Sequence, residues 1–233
     1  MDEPGHIRRY PRPAVAVDLT IFTLRDADLQ LLLIKRKRPP FEGCWALPGG
    51  FVRVSDEQDQ GEDLDQAAER ELAEETGLPT GAVFLEQVRA FGQAGRDPRL
   101  RVISVAYMAL VRPELAPVVC AGGDAADARW FSTAHLEQQP LAFDHHQIIN
   151  AATEHLRRAI RTTDLAFELV PETFTVAELR AVYEVLEGAR LDPGNFRRRF
   201  MRMVDDGVLQ ESPGKRATGS RKARLYRFKP RQT

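Results

Sequence analysis

The chain has 233 residues, 43% hydrophobic and 29% charged, a balance that excludes a disordered chain and implies one ordinary domain plus a smaller one. Its two cysteines, Cys44 and Cys120, lack CxxC or Cys/His spacing, which excludes a disulfide framework and reads as reduced thiols in a cytoplasmic protein. The opening MDEPGHIRRYPRP lacks the apolar stretch of a signal peptide, and no run approaches the roughly 18 apolar residues of a membrane span.

The net charge of −1 conceals an asymmetry. Residues 190–233 carry 13 Lys/Arg against 4 Asp/Glu, a net of +9, which leaves residues 1–189 at −10. An acidic body suits cations or a metal-bound ligand, whereas a basic tail suits phosphates.

In chain order, VAVDLTIFTL (15–24) and LQLLLIKRK (29–37) predict two strands around the turn RDAD. FEGCWALPGGFVRV (41–54) follows, its paired glycines free to take an unusual path beside a ligand. Residues 64–76 predict a helix, with Gly77 at its C-cap. Strands are predicted in AVFLEQVRAFG (82–92) and VISVAYMALV (102–111), around the basic turn QAGRDPRLR, and in ARWFS (128–132). A helix is predicted over 144–161, with Ile148, Ala151, Ala152 and His155 on one side. There Asp144 and Gln147 have capping-box spacing, so His145 and His146 are expected in the first turn without a ligand role.

Beyond it the character changes. AFELV (166–170) reads as a short strand. A capped helix follows, with Thr175 and Glu178 as the box, Leu179, Val182, Tyr183 and Leu186 as the core stripe and Gly188 as the stop. A second helix starts at Asp192 and Pro193. VLQES and ARLYRF then predict two strands flanking a basic, flexible loop, PGKRATGSRK.

The acidic helix poses the functional question. A 3.6-residue period puts Leu64, Ala67, Ala68, Glu71, Leu72 and Glu75 on one stripe, with Glu74 at its edge. Acids on a core-facing stripe are costly unless compensated, so the alternatives are a solvated face or a bound cation. Three carboxylates at i, i+3 and i+4 beside a glycine-rich strand end suit Mg²⁺, which commonly also holds substrate phosphates.

With LPGG upstream, Glu62, Arg70, Glu71, Leu72, Glu74, Glu75, Gly77 and Leu78 closely resemble the Nudix box. The resemblance implies a Nudix α/β/α sandwich acting on a nucleoside diphosphate linked to another group. It further implies that Glu71, Glu74 and Glu75 ligate divalent metal, that Glu74 and Glu75 are catalytic if the protein is active, and that the position of Arg70 is mainly structural. One departure stands out: SDEQDQ (55–60) is inserted between Gly50 and Glu62, where it threatens the placement of the first glutamate and hence the rate. Ligand contacts are expected from Gly50 and Arg70, from Arg36, Lys37 and Arg38, and from Arg96, Arg99 and Arg101. Trp45 and Phe91 are either base-stacking rings or core aromatics.

In the tail, Phe196, Phe200 and Met203 share one side of a helix, Asn195, Arg198 and Arg202 the other, with Arg197 and Arg199 on the flanks. That is the layout of a recognition helix, and the following strands supply a wing in which Lys215, Arg216, Arg221, Lys222 and Arg224 meet DNA phosphates. FTVAELRAVYEVLEG, NFRRRF and RLYRF behind a Nudix box resemble the Nudix-related transcriptional regulators of NAD metabolism, the NrtR group. The resemblance implies an α+β chain in two parts, a Nudix-like sensor over 1–162 and a small winged helix-turn-helix over 163–233. It also implies a homodimeric repressor of NAD biosynthesis or salvage genes that binds double-stranded operator DNA, with ADP-ribose as effector. An active Mg²⁺-dependent ADP-ribose pyrophosphatase with an accessory tail is the rival expectation. An RNA-processing role ranks below both, because the basic tail lacks interleaved aromatics.

Overall fold

The structure is a computed structural model, which describes residues 11–55, 61–78, 81, 83–118, 125–218 and 221–229. Residues 56–60 of the insertion, Cys120 and residues 219–220 lie outside these, as do the side chains of 118, 125, 126, 218 and 221.

The first predicted hairpin forms as strands β1 (Ala14–Arg25) and β2 (Asp28–Arg36). Asp26 and Ala27 both take positive φ at the turn, 51° and 56°, the left-handed pair that matches strand twist in a two-residue hairpin. Short strands β3 (Trp45–Ala46) and β4 (Gly49–Phe51) come next, then β5 (Phe84–Phe91), β6 (Val102–Leu110) and β7 (Ala125–Ser132). All seven join one mixed sheet in which β1 runs parallel to β6 from Ala14↔Val102 to Phe22↔Leu110.

A helix covers each face. On one side α1 (Leu64–Thr76) sets Ala67, Ala68 and Leu72 on Val17, Leu19, Ile21 and Tyr107. On the other, α2 (His145–Ala159) sets Ile148, Ala152 and Leu156 over Phe22, Leu31, Ala106 and Met108. Side chains alternate along a strand, so β1 serves both layers, and the near-continuous apolar run of β1 and β6 is what double coverage requires. This is the expected α/β/α sandwich.

The C-terminal unit contains α3 (Val176–Glu187), α4 (Pro193–Asp205) and a hairpin of β8 (Leu209–Thr218) with β9 (Arg221–Phe228). The α3 capping box is formed: Thr175 Oγ1 accepts from the Glu178 N–H at 3.2 Å, and Glu178 Oε2 accepts from the Thr175 N–H at 2.7 Å. Leu179, Val182, Tyr183 and Leu186 are buried as the stripe requires. The backbones of Phe174 and Tyr226 exchange two hydrogen bonds of 2.8 Å, fixing the wing on the segment that enters α3.

Two expectations are corrected. Residues Leu165–Leu169 form a 3-10 turn, not a strand; Leu165, Ala166, Phe167 and Leu169 are all buried, and an apolar run buried on every side carries no period to tell strand from helix. Phe167 stacks on Phe228 with centroids 4.4 Å apart, so one apolar core runs from the sheet through this turn to Phe196 and Phe200. The basic loop PGKRATGSRK is also shorter than expected, because β8 continues to Thr218 past a bulge between Ser212 and Lys215.

Candidate functional site

A cleft of about 560 Å³ opens where β4 meets α1, lined by the glycine pair, the acids of α1, Arg36, Arg38, Arg96, Arg99 and His145. Backbone geometry comes first. Gly49 lies at φ +153°, and a Cβ there would stand 2.2 Å from the Val17 carbonyl oxygen; a Cβ on Gly50 would stand 2.1 Å from Glu71 Oε1. Only glycines let β4 run this close to both β1 and α1. The Gly49 N–H then donates to Glu75 Oε2 at 2.7 Å.

Glu71 and Glu75 are buried, as the stripe predicts, and Glu74 is exposed at its edge. Burial pushes the Glu75 carboxyl up to about 8 against the pull of the Gly49 N–H, and the charges of Glu71 and Asp18 add to the rise. Arg70 is the hub of the opposite side. It donates to both oxygens of Glu62 at 2.8 and 2.5 Å, to Glu71 at 2.6 Å, to Glu74 at 3.3 Å and to the Phe51 carbonyl at 3.2 Å. Those bonds hold Glu62 down to about 2. Arg70, expected as a ligand contact, lines the cleft, with its guanidinium engaged by the box itself.

The insertion does not displace the first glutamate. Val54 and Gly61 form an antiparallel bridge, and the Arg53 N–H donates to Glu62 Oε1 at 2.7 Å while the Glu62 N–H donates to the Arg53 carbonyl at 3.0 Å. Whatever the intervening residues do, Glu62 is pinned from both its backbone and its side chain.

The three-acid metal set is not preassembled. Glu74 turns to Arg53 at 3.0 Å, and among the described residues no three His, Cys, Asp or Glu side chains converge on a point that could hold a metal ion. The donor chemistry nevertheless suits a hard cation: Glu75 is a buried carboxyl beside two more acids, Glu71 and Asp18, with too little positive charge nearby to ionise it.

Behind the cleft lies a buried network that sequence reasoning missed. Arg96 donates to Asp144 at 2.6 and 2.9 Å and to Asp18 at 3.3 Å, and Ser104 Oγ donates to Asp18 at 2.5 Å. Asp144 makes no side-chain cap on α2; Arg96 has taken its carboxylate, so the expected capping box is corrected. His145 is buried, accepts the Leu47 N–H at Nδ1 over 2.9 Å and places Nε2 3.5 Å from Asp18. Desolvation lowers its pKa, so it is a neutral prop for the turn that enters the glycines. Arg96, expected on the ligand, is thus largely spent inside. Arg101 is exposed, donates to the Gln93 carbonyl at 3.2 Å and lies outside the cleft lining.

Of the two alternatives for the aromatics Trp45 and Phe91, the structure has the core one. Phe91 is a core residue, and Trp45 packs edge-on against Phe131 at 4.8 Å. The rings at the cleft are Phe51 and Phe143. Arg36 donates to the Pro40 carbonyl at 2.9 Å and sits 4.9 Å over Phe143; Arg99, paired with Asp97 at 2.7 Å, lies near both rings.

On the basic unit, Phe196 and Phe200 are buried while Asn195, Arg197, Arg198 and Arg202 are exposed along α4, with Arg198 donating to Asn195 Oδ1. Arg199 lies 4.5 Å over the Tyr183 ring, which holds it on the flank. Lys215, Lys222 and Arg224 are exposed on the hairpin, and Lys215 and Arg224 are cross-strand partners. Arg216, expected as a DNA contact, is engaged within the unit. One residue along the strand from Lys215, it faces the opposite side and donates to Glu178 at 2.6 Å and to the Thr173 carbonyl at 2.9 Å. The Arg221 side chain lies outside the described residues.

Comparison with known proteins agrees with this geometry. Residues 14–152 match the NUDIX domain, and residues 166–228 match the NrtR DNA-binding winged helix domain. The chain is 38% identical over 219 residues to an ADPR responsive transcriptional repressor, NtrR, of Acinetobacter baylyi, covering 94% of this chain and 83% of that one. It is similar to the crystal structure of Shewanella oneidensis NrtR complexed with a 27mer DNA, with a TM-score of 0.74, 34% identity and 92% and 93% of the two chains covered. The NUDIX domain of the same Shewanella protein, complexed with ADP ribose, matches with a TM-score of 0.52 and 32% identity, over 67% of this chain and 99% of that one.

Proposed function

Because the chain belongs to the Nudix family, in its NrtR-type branch that joins a NUDIX domain to a DNA-binding winged helix, we propose that it is a transcriptional repressor of NAD-metabolism genes controlled by ADP-ribose. It acts in the cytoplasm as a homodimer on a two-fold operator. The observation that carries this reading is the single apolar core that runs from the sheet beneath the cleft, through Phe167, to the helix that bears the arginines. A ligand that binds one arrangement of this core better than another shifts the population able to hold DNA, and equal affinity would shift nothing.

At the cleft, Arg36, Arg38 and Arg99 meet the diphosphate, and Glu71, Glu74 and Glu75 would hold Mg²⁺, with Glu74 released from Arg53. The cation, when bound, neutralises the diphosphate oxygens beside these acids. On the DNA side, Asn195, Arg197, Arg198 and Arg202 reach into the major groove, and Lys215, Lys222 and Arg224 take phosphates. Operator binding measured in a gel shift, with and without saturating ADP-ribose, tests the proposal. Tight sequence-specific binding that ADP-ribose weakens is expected; ADP-ribose-independent binding would remove the effector role.

The intact acid set, with Glu62 pinned, favours a second reading in which the same cleft also hydrolyses ADP-ribose. Release of AMP in the presence of Mg²⁺, lost in Glu74→Gln and Glu75→Gln, would establish it.

A further inference from the structure

One buried guanidinium of the sensor unit serves two structures at once. Arg96 lies on the turn between β5 and β6, its side chain 5% exposed, and it lines the cleft. Its Nε and Nη2 donate to Asp144 and Asp18, whereas Nη1 makes no hydrogen bond among the described residues. Asp144 does not line the cleft; it is the N-cap residue of α2. A single side chain therefore joins the wall of the cleft to the first turn of a helix.

The start of α2 is correspondingly under-capped. Asp144 holds φ −99° and ψ 24°, away from the extended geometry of a capping residue, and its side chain makes no cap hydrogen bond. The next residue, His145, accepts the Leu47 N–H at 2.9 Å, and Leu47 stands two residues before Gly49, whose N–H donates to Glu75. Movement of this turn is thus felt by the glycine strand and the acids of α1. Along its length α2 packs on the sheet and touches α3, and α3 holds α4, with the Tyr183 and Phe196 rings 5.8 Å apart. The helix with the unmet cap lies between the cleft and the arginines of α4.

Two demands compete at Asp144. A charge-assisted pair with Arg96 outweighs a cap made to a neutral N–H, which is why the carboxylate faces the guanidinium here. An anion in the cleft changes that balance, because it attracts the same guanidinium and repels both acids. Asp144 then gains more from the N–H groups of α2, whose dipole favours an acid at this end.

We propose that Arg96 couples the cleft to the DNA-binding unit: an anionic ligand draws its guanidinium from Asp144, Asp144 turns to cap α2, and α2 re-seats α3 and with it the helix that bears the arginines. This rests on the reading of the cleft as the ADP-ribose sensor, and it supplies the two discrete arrangements that such control requires, one paired and one capped.

The test uses the full-length protein, operator DNA and ADP-ribose. In Asp144→Asn the shape and the capping ability remain while the charge pair with Arg96 is lost, so the capped arrangement is favoured before any ligand is added. Gel shifts should then show operator affinity reduced about 10-fold without ADP-ribose, and calorimetry should show ADP-ribose bound about 3-fold tighter or more, since linkage makes the two effects reciprocal. A merely structural lesion would weaken both. In Asp144→Ala neither arrangement is held, so ADP-ribose should still bind yet change operator affinity by less than about 2-fold. If wild-type operator affinity does not respond to bound ADP-ribose, the sensor reading falls and the inference with it. If wild type responds, and Asp144→Asn does not show both shifts with these signs or Asp144→Ala keeps the full response, the coupling through Arg96 is overturned while the sensor reading stands. Loss of ADP-ribose binding in either variant would also overturn it, placing Asp144 in the ligand site. Should Asp144→Ala fail to fold in a thermal melt, the opposed shifts in Asp144→Asn decide alone.

Discussion

The N–H of Gly49 donates to Oε2 of Glu75 across 2.7 Å, joining the glycine strand to the last acid of α1. That one bond is not enough to keep Glu75 ionised. Burial, Glu71 and Asp18 raise its carboxyl from 4.5 to about 8, so between those values the folded protein carries a proton that the unfolded chain has released. Stability from this group is complete below about pH 4.5 and is lost as the pH rises through about 8. Chemical denaturation in the presence of a chelator should therefore show stability falling from pH 5 to 8.5, by an amount on the order of a few kcal/mol. In Glu75→Gln that slope should flatten.

The two glycines separate fold from site. In Gly49→Ala the new Cβ meets the backbone of Val17, and the φ of +153° is strained for alanine, so a loss of about 3 kcal/mol or more is expected in denaturant titration. In Gly50→Ala the clash is with the carboxylate of Glu71, a side-chain tip. The fold should tolerate it with a loss of about 1 kcal/mol, while ADP-ribose affinity falls at least about 10-fold because a misplaced acid disorders the cleft.

Arg202 and Arg216 look interchangeable in sequence and are not. Arg202→Ala should leave the melting temperature unchanged, weaken operator binding by about 1–3 kcal/mol and reduce its salt dependence. Arg216→Ala removes the partner of Glu178 and Thr173 beneath α3. It should lower the melting temperature by a few degrees, as expected for a loss of about 1 kcal/mol. Thermal melts and a gel-shift salt series on both variants distinguish the two roles.

Residues 55–60 are dispensable if Glu62 is pinned as observed. Replacing them with Asn-Gly, which suits a two-residue turn across the Val54–Gly61 bridge, should leave ADP-ribose affinity within about two-fold, because closure entropy changes little over such lengths. A ten-fold loss in calorimetry would mean that the segment itself contacts the ligand.

Much of this protein is legible in its sequence. The stripe of α1 placed Glu71 and Glu75 inward and Glu74 at the edge because a 3.6-residue period is local geometry, and the structure has that arrangement. Thr175 with Glu178, Asp192 with Pro193, and Gly77 marked helix ends for the same reason: caps satisfy backbone groups within a few residues of themselves. The pairing of box and basic tail identified the two units, since both signatures are written in short contiguous strings.

Pairings between distant residues were decided only by the tertiary structure. Asp144 had the spacing of a cap, but Arg96, 48 residues away, brings a charged partner that a backbone N–H does not match. Arg216 belonged to a basic string, yet strand alternation and a bulge turned it toward Glu178. Phe51 and Phe143 had no motif to announce them, because a cleft lined from both β4 and the entry to α2 exists only once the sheet has brought the two together. Sequence determined the elements and the residue types that chemistry requires; folding determined which charges were spent on one another and which were left facing the cleft and the DNA.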